Sequence, residues 1–315
     1  MKKSSILFLC IALVVVGFFI WWQNGNSAVS PDDTSSKVFV IQKGAAVRVI
    51  GNNLKEEGLI RDPVIYFLYI KKNGLEKSIQ AGSYKLSPSM SLSQVVDTML
   101  TGSIDVWVTI PEGYRSEQIG EVLAENLETF DESWIEKLKN EEGFLFPDTY
   151  LVPKDAEADT VISIMKNNFR SKLEAAGVDP DRSDILDIIT LASLIERESK
   201  TNEEKPNIAG ILYNRLNIGM ALQVDATIQY AKGTTGSWWK PVTLDEYRSV
   251  NSSYNTYLNP GLPPTPIANP GIEAIKAAIN PAQNSYFYYI HDVNGQAHFA
   301  ETLEGHNSNV SRYLN

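Results

Sequence analysis

From Ile185 to Ile195 the chain reads ILDIITLASLI, with apolar side chains at Ile185, Leu186, Ile188, Ile189, Leu191, Leu194 and Ile195. Wound into a helix, these positions leave no polar stripe wide enough to face water. Such a helix must be wrapped on nearly every side, so the fold needs a domain large enough to hold a central helix. Asp181 or Ser183 supplies a start signal before it. A length of 315 residues, 43% of them apolar, suffices for one large or two medium domains with a real core. The predicted helix ends in two glutamates, Glu196 and Glu198, and the sequence then turns polar.

At helical spacing Glu196 shares a face with Ile189, Ala192 and Ser193, while Glu198 lies over Leu191, Leu194 and Ile195. Geometry alone does not separate the two. One reading is structural: Glu196 pairs with Lys200 at i+4, which stabilises a helix by a few tenths of a kcal/mol. The other is chemical. A glutamate against an apolar wall is lifted from about 4.3 toward about 6–7, where it can act as a general acid.

The N-terminus carries a second strong pattern. Lys2 and Lys3 precede an apolar run from Ile6 to Trp22. Seventeen residues at about 1.5 Å each reach roughly 25 Å, the scale of a bilayer core. No positive charge follows until Lys37, which places the N-terminus inside and the bulk outside, with Trp21 and Trp22 at the interface. A cleaved leader is the alternative, but NSAVS around Ser27 is a poor cleavage site. The following NGNSAVSPDDTSS reads as a flexible tether. Cys10 is the only cysteine, so no intrachain disulfide can form. A net charge of −10 argues against nucleic-acid binding.

The first half repeats itself. VIQKGAAVRVIGNNL (40–54) and TIPEGYRSEQIGEVL (109–123) match at Ile41/Ile110, Gly44/Gly113, Ile50/Ile119, Gly51/Gly120 and Leu54/Leu123. KLSPSMSLSQVVDTM (85–99) is a looser copy. Each predicts a strand, a turn and a helix that must pack on neighbours. The pattern suits either a plain supersecondary unit or a LysM-like glycan-binding module.

Further on, helices are predicted over 160–175 and 208–216, the latter ended by Gly219. Gln223 and Asp225 fall in an extended or turn segment. Residues 249–270 are rich in Asn, Pro and Gly and predict a long ordered loop before a helix from Gly271. YFYYIHDVNGQAHFAET predicts a hairpin turning at Asn294-Gly295. His291, His298 and His306 have no common metal-site spacing, and neither metal nor cofactor is expected.

Taken together, LASLIERES, ILYNRL, GMALQVDATIQYA, YNTY, GLPPTPIANPG and AAINPA, with EGFLFPDTY before them, resemble the endolytic murein transglycosylase (YceG-like) family. The resemblance implies an α+β chain: a cytoplasmic tip (1–5), a transmembrane helix (6–22), a flexible linker (23–37), a small LysM-like subdomain (38–105) and a larger mixed α+β catalytic domain (106–315). It implies a single-pass cell-membrane protein whose outer part cuts nascent peptidoglycan strands between N-acetylmuramic acid and N-acetylglucosamine, leaving 1,6-anhydro ends. A penicillin-binding protein is the implied partner. The family's acid is the first glutamate of its Ala-Ser-apolar-apolar-Glu-basic-Glu segment, which puts the role on Glu196. Gln223, Asp225, Tyr254 and Asn255 become candidates for orienting substrate or acid, with Ser193 and Glu198 in support. Ala226 stands where the family often has proline. A hydrolytic muramidase with Asp225 as second carboxylate, or a non-catalytic wall-binding scaffold, are the competing readings.

Overall fold

The computed structural model describes residues 3–314, without the side chains of 3–7, 9 and 10. The chain is α+β and divides into two compact units. One is Met1–Val108 with Tyr150–Lys154; the other is Thr109–Thr149 with Asp155–Asn315.

In the smaller unit, α1 (Lys3–Asn26) precedes β1 (Lys37–Ile41), α2 (Val47–Glu56), α3 (Pro63–Lys72), β2 (Gly82–Leu86) and α4 (Leu92–Thr101). β1 and β2 pair antiparallel, with Phe39 opposite Tyr84 and Ile41 opposite Gly82. The alternation of KVFVI turns Phe39 and Ile41 inward, onto Ile50 and Leu54 of α2, Ile65 and Ile70 of α3, and Val95 and Met99 of α4. Local chemistry sets the helix starts. Asp62 accepts from the N–H groups of Val64 and Ile65, and Ser91 and Gln94 form a capping box. β3 (Asp105–Thr109) and β4 (Thr149–Pro153) make a second two-stranded sheet.

Two expectations bear on the N-terminal region. Among the described residues no helix is long and apolar enough to cross a membrane. The expected span over 6–22 lies within α1 but falls partly on side chains outside the description. Its end is also engaged: Trp21 Nε1 donates to Asp62 Oδ2 at 3.0 Å, and Trp22 packs on the small core. The predicted tether is likewise held. α1 runs on to Asn26, and Arg61 then donates to the carbonyls of Ala28 and Val29. Ser30 N–H bonds Pro88 O, and Ser87 Oγ bonds Asp33 O. Backbone carbonyls, which composition does not weigh, supply most of the anchoring.

The larger unit contains α5 (Ser116–Asn126), α6 (Trp134–Lys139), α7 (Ala158–Ala175), α8 (Ile185–Glu198), α9 (Lys205–Asn217), α10 (Asp225–Lys232), α11 (Glu246–Ser249) and α12 (Ile272–Ile279). The hairpin β5 (Tyr288–His291) and β6 (Ala297–Ala300) follows, then α13 (Leu303–Tyr313). α8 is the central helix the sequence demanded. Eight successive residues, Ile188 to Ile195, are buried, and α9, α10 and α12 pack on it. Leu186, 45% exposed, is the exception at its first turn.

The three repeat copies run from strand to helix as β1–α2, β2–α4 and β3–α5. The glycines shared by the first and last copies do the same work. Gly44 and Gly113 take φ of 79° and 74° in the turn, where a side chain would strain the backbone. Gly51 and Gly120 sit where a neighbouring helix closes in. A Cβ there would lie 2.7 Å from Tyr66 Cδ1 and 2.3 Å from Ile135 Cδ1 respectively.

Candidate active site

α8 delivers Glu196 at its last turn, with a side chain only 10% exposed. Its partner is not Lys200. Lys205, the first residue of α9, places Nζ 3.0 Å from Glu196 Oε1 and 3.1 Å from Oε2. Gly271 N–H, at the start of α12, donates to Oε2 at 3.1 Å. The expected apolar wall is therefore only the helix behind the carboxyl; its oxygens face an ammonium and a backbone donor. Glu204 organises the turn that makes this possible. Its carboxylate accepts from the N–H groups of Lys200 and Thr201 and contacts His291 Nε2 at 3.0 Å. The Lys200 backbone is thereby bonded within the turn, and Lys205 is brought onto Glu196. At 4% exposure Lys205 needs that partner, because an isolated buried charge is costly.

A cavity of about 350 Å³ opens beside this pair, lined by Glu112, Glu196, Ser199, Lys200, Thr201, Asn202, Glu203 and Lys205. Burial, then the charge of Glu196, pushes the Glu112 carboxyl above the ordinary glutamate range, against the pull of Lys205.

The other predicted site residues divide into two groups. Glu198, Gln223 and Asp225 line a separate cavity of about 310 Å³ with Arg215, Tyr257, Tyr288, Tyr289, Leu303 and His306. Tyr289 OH donates to Glu198 Oε2 at 2.6 Å, and Tyr257 OH donates to Asp225 Oδ1 at 2.5 Å. Burial raises the Glu198 carboxyl, opposed by the Tyr289 hydrogen bond. Gln223 holds a left-handed φ of 52°, a strained conformation for a side chain of this kind, and Asp225 opens α10 instead of lying in an extended or turn segment.

Ser193, Tyr254 and Asn255 line neither cavity and hold the long loop in place. Ser193 Oγ donates to Thr190 O and accepts from Ile267 N–H at 3.0 Å. Asn255 Nδ2 donates to Val250 O at 2.9 Å, and its Oδ1 accepts from Tyr257 N–H. Tyr254 OH shares a 2.6 Å hydrogen bond with Thr265 Oγ1.

Sequence reasoning missed Lys205, Glu112, Asn269 and Glu142. Lys205 is a lone lysine before a proline and carries no motif signal. Glu112 had one: it follows a strand and precedes the left-handed Gly113. Asn269 is fully buried. Its Oδ1 accepts from Gly143 N–H and Leu145 N–H, both at 2.9 Å, and its Nδ2 donates to Tyr114 O and Glu142 Oε1.

Glu142, 5% exposed, also accepts from Ser116 N–H at 3.1 Å, yet burial pushes its carboxyl up to about 7. The folded chain thus holds this proton more tightly than the unfolded chain, where glutamate titrates near about 4.3. The associated stability is complete below that pH and is lost as pH rises through about 7. Urea midpoints measured from pH 4 to 8 should fall across this window. Glu142→Gln should remove roughly 3 kcal/mol of that fall; parallel curves for the two proteins would refute the assignment.

The YceG-like family profile matches residues 39–312. The chain belongs to the YceG-like family. A protein of Streptococcus pneumoniae (strain D39) named endolytic murein transglycosylase is 30% identical over 365 aligned positions. That alignment takes in 100% of this chain and 66% of the pneumococcal protein, so the chain spans just under two thirds of that relative. A Bacillus subtilis protein of the same name is 30% identical, with 96% of this chain and 91% of the relative aligned. A crystal structure of a yceG-like protein from Listeria monocytogenes superposes with a TM-score of 0.52 at 30% identity, covering 87% of this chain and 99% of that one.

Proposed function

We propose that this YceG-like chain is a peptidoglycan lytic transglycosylase, cutting glycan strands between N-acetylmuramic acid and N-acetylglucosamine with Glu196 as acid and then base. The observation that carries the reading is Glu196 itself. A central buried helix delivers it to the wall of an open cavity, fixed from two directions by Lys205 and Gly271. Glycoside cleavage through an oxocarbenium-like state needs a proton for the leaving oxygen. Glu196 gives that proton. It then takes one from the C6 hydroxyl of the muramoyl sugar as that oxygen closes on C1, so no water is added. The names of the pneumococcal and Bacillus relatives support this chemistry.

Against the muramidase reading, its expected second carboxylate, Asp225, lies in the other cavity bound by Tyr257, and the carboxyl that shares the cavity of Glu196 is Glu112. Membrane attachment through α1 is supported by its exposed apolar side chains, among them Phe8, Val14, Phe18 and Ile20. Such an anchor would keep residues 38 onward at the outer membrane surface. A LysM-like, glycan-binding role for the smaller unit is supported by its strand–helix–helix–strand order. A penicillin-binding protein as partner rests on the family resemblance alone.

The deciding experiment digests purified glycan strands and weighs the fragments. New ends one water lighter than reducing sugars are expected. Reducing ends would make the chain a hydrolase, and intact strands would leave the scaffold reading.

A further inference from the structure

Glu112 leaves the chain just after β3, in a loop fixed by Gly113 N–H donating to Asn269 O at 2.9 Å. That loop lays Glu112 against the same Gly271 whose N–H binds Glu196. A methyl group on Gly271 would sit 2.0 Å from Glu112 Oε1 and 2.8 Å from Oε2. Glu112, Glu196 and Lys205 also line one cavity. Two carboxyl groups that share one ammonium in a confined site tend to hold one proton between them. Burial and the acidic neighbour Glu196 both favour the neutral form of Glu112. Glu196 meanwhile accepts hydrogen bonds from an ammonium and an amide, the setting of a carboxylate. A carboxylate cannot protonate a leaving oxygen.

We propose that Glu112 is the positioning residue that arms Glu196: it stores the proton, passes it to Glu196 when a strand enters, and takes over Lys205 in exchange. One proton moves from a Glu112 oxygen to a Glu196 oxygen, and the total charge of the three groups is unchanged. After Glu196 has given its proton to the glycosidic oxygen and recovered one from the C6 hydroxyl, the reverse exchange restores the resting state. The charged groups around this loop are Glu196 and Arg197 on α8, Lys200 and Glu203 in the next turn, Lys205 on α9 and Glu273 on α12. Arg197, over the Trp239 ring at 3.8 Å, also acts on Glu196, while Lys205 acts on both carboxyls.

The inference rests on Glu196 as the acid, and its test separates the two claims. Glu112→Gln is expected to lower kcat on glycan strands at pH 7 about tenfold or more, with KM within about twofold, and to move the optimum down by about one pH unit. Activity at pH 7 should return in the Glu112→Gln/Lys205→Met double variant, which no longer has the Lys205 ammonium on the Glu196 oxygens. A wild-type pH profile for Glu112→Gln would overturn the proposal. A carboxyl ¹³C NMR titration, which needs no turnover, follows Glu112 directly. Its midpoint should fall in Glu196→Gln and rise in Lys205→Met; a midpoint indifferent to both would also overturn it. If Glu112→Gln does not fold, Gly271→Ala, which displaces the Glu112 carboxyl without removing it, should give the same acid shift, and a wild-type profile there would again refute the role. Should Glu196→Gln cleave like the wild type, the transglycosylase assignment of Glu196 fails, and the NMR arm still reports whether the two carboxyls share a proton.

Discussion

Glu196→Gln is expected to reduce strand cleavage at least about a hundredfold at every pH from 5 to 8, the scale of a lost general acid. The amide keeps the shape of the side chain, and its oxygen can still accept from Gly271 N–H and Lys205. What it loses is the proton and the charge. Lys205 is 4% exposed, and losing the partner of a buried ion pair ordinarily costs several kcal/mol. Here Glu112 lines the same cavity and can accept the lysine, so the loss of stability should stay below the roughly 3–5 kcal/mol of a broken buried pair. Cleavage is read from anhydro-ended fragments, and stability from urea unfolding of the same preparation. Glu198→Gln is the paired control. It changes the Tyr289-bound carboxyl in the other cavity, so it should keep cleavage within about tenfold of wild type. A reversed order, with Glu198→Gln dead and Glu196→Gln active, would move the chemistry to the cavity of Gln223 and Asp225.

That comparison resolves a tie inherent in the sequence. Helical periodicity reports neighbours along one helix, so it found the buried α8 and its apolar faces. Glu196 and Glu198, however, lie on the final turn, where the decisive neighbours belong to other elements. Lys205 arrives from the next helix because Glu204 closes the turn between them, and Gly271 arrives from a segment 75 residues away. The two glutamates thereby face different cavities, a division that the shared apolar helix behind them could not reveal. The turn chemistry was local and therefore legible. Matched glycines announced the strand-to-helix turns, and Asn294-Gly295 announced the hairpin. Even there the loop is 292–296, closed by Asp292 accepting from the N–H groups of Asn294 and Gln296. The left-handed backbone at Gln223 carried no glycine to signal it. The long Asn/Pro/Gly loop was legible as ordered, but its purpose was not: Ser193 and Asn269 bind it to segments far away in sequence.

Asn269→Ala is expected to be among the most destabilising single changes to the larger unit. The side chain is fully buried and makes four hydrogen bonds. Its removal strands two buried backbone donors, Gly143 N–H and Leu145 N–H, and takes a donor from Glu142. Each unsatisfied group costs about 1–3 kcal/mol, so the total should reach roughly 3–5 kcal/mol. A fall in melting temperature of about 10 °C follows for a unit of this size. Asn269→Asp should fare no better at pH 8, where a second carboxylate would face Glu142, and should recover partly toward pH 5. A shift under about 2 °C for the alanine variant would show that the loop is held elsewhere. Activity should fall with stability for a specific reason. The lost Nδ2 bond to Tyr114 O works beside the backbone bonds of Asn269 to Tyr114 O and Gly113 N–H, which tie the loop that carries Glu112 to the chain that leads into Gly271. The residue that stabilises the unit thereby sets the spacing between Glu112 and the amide that holds Glu196.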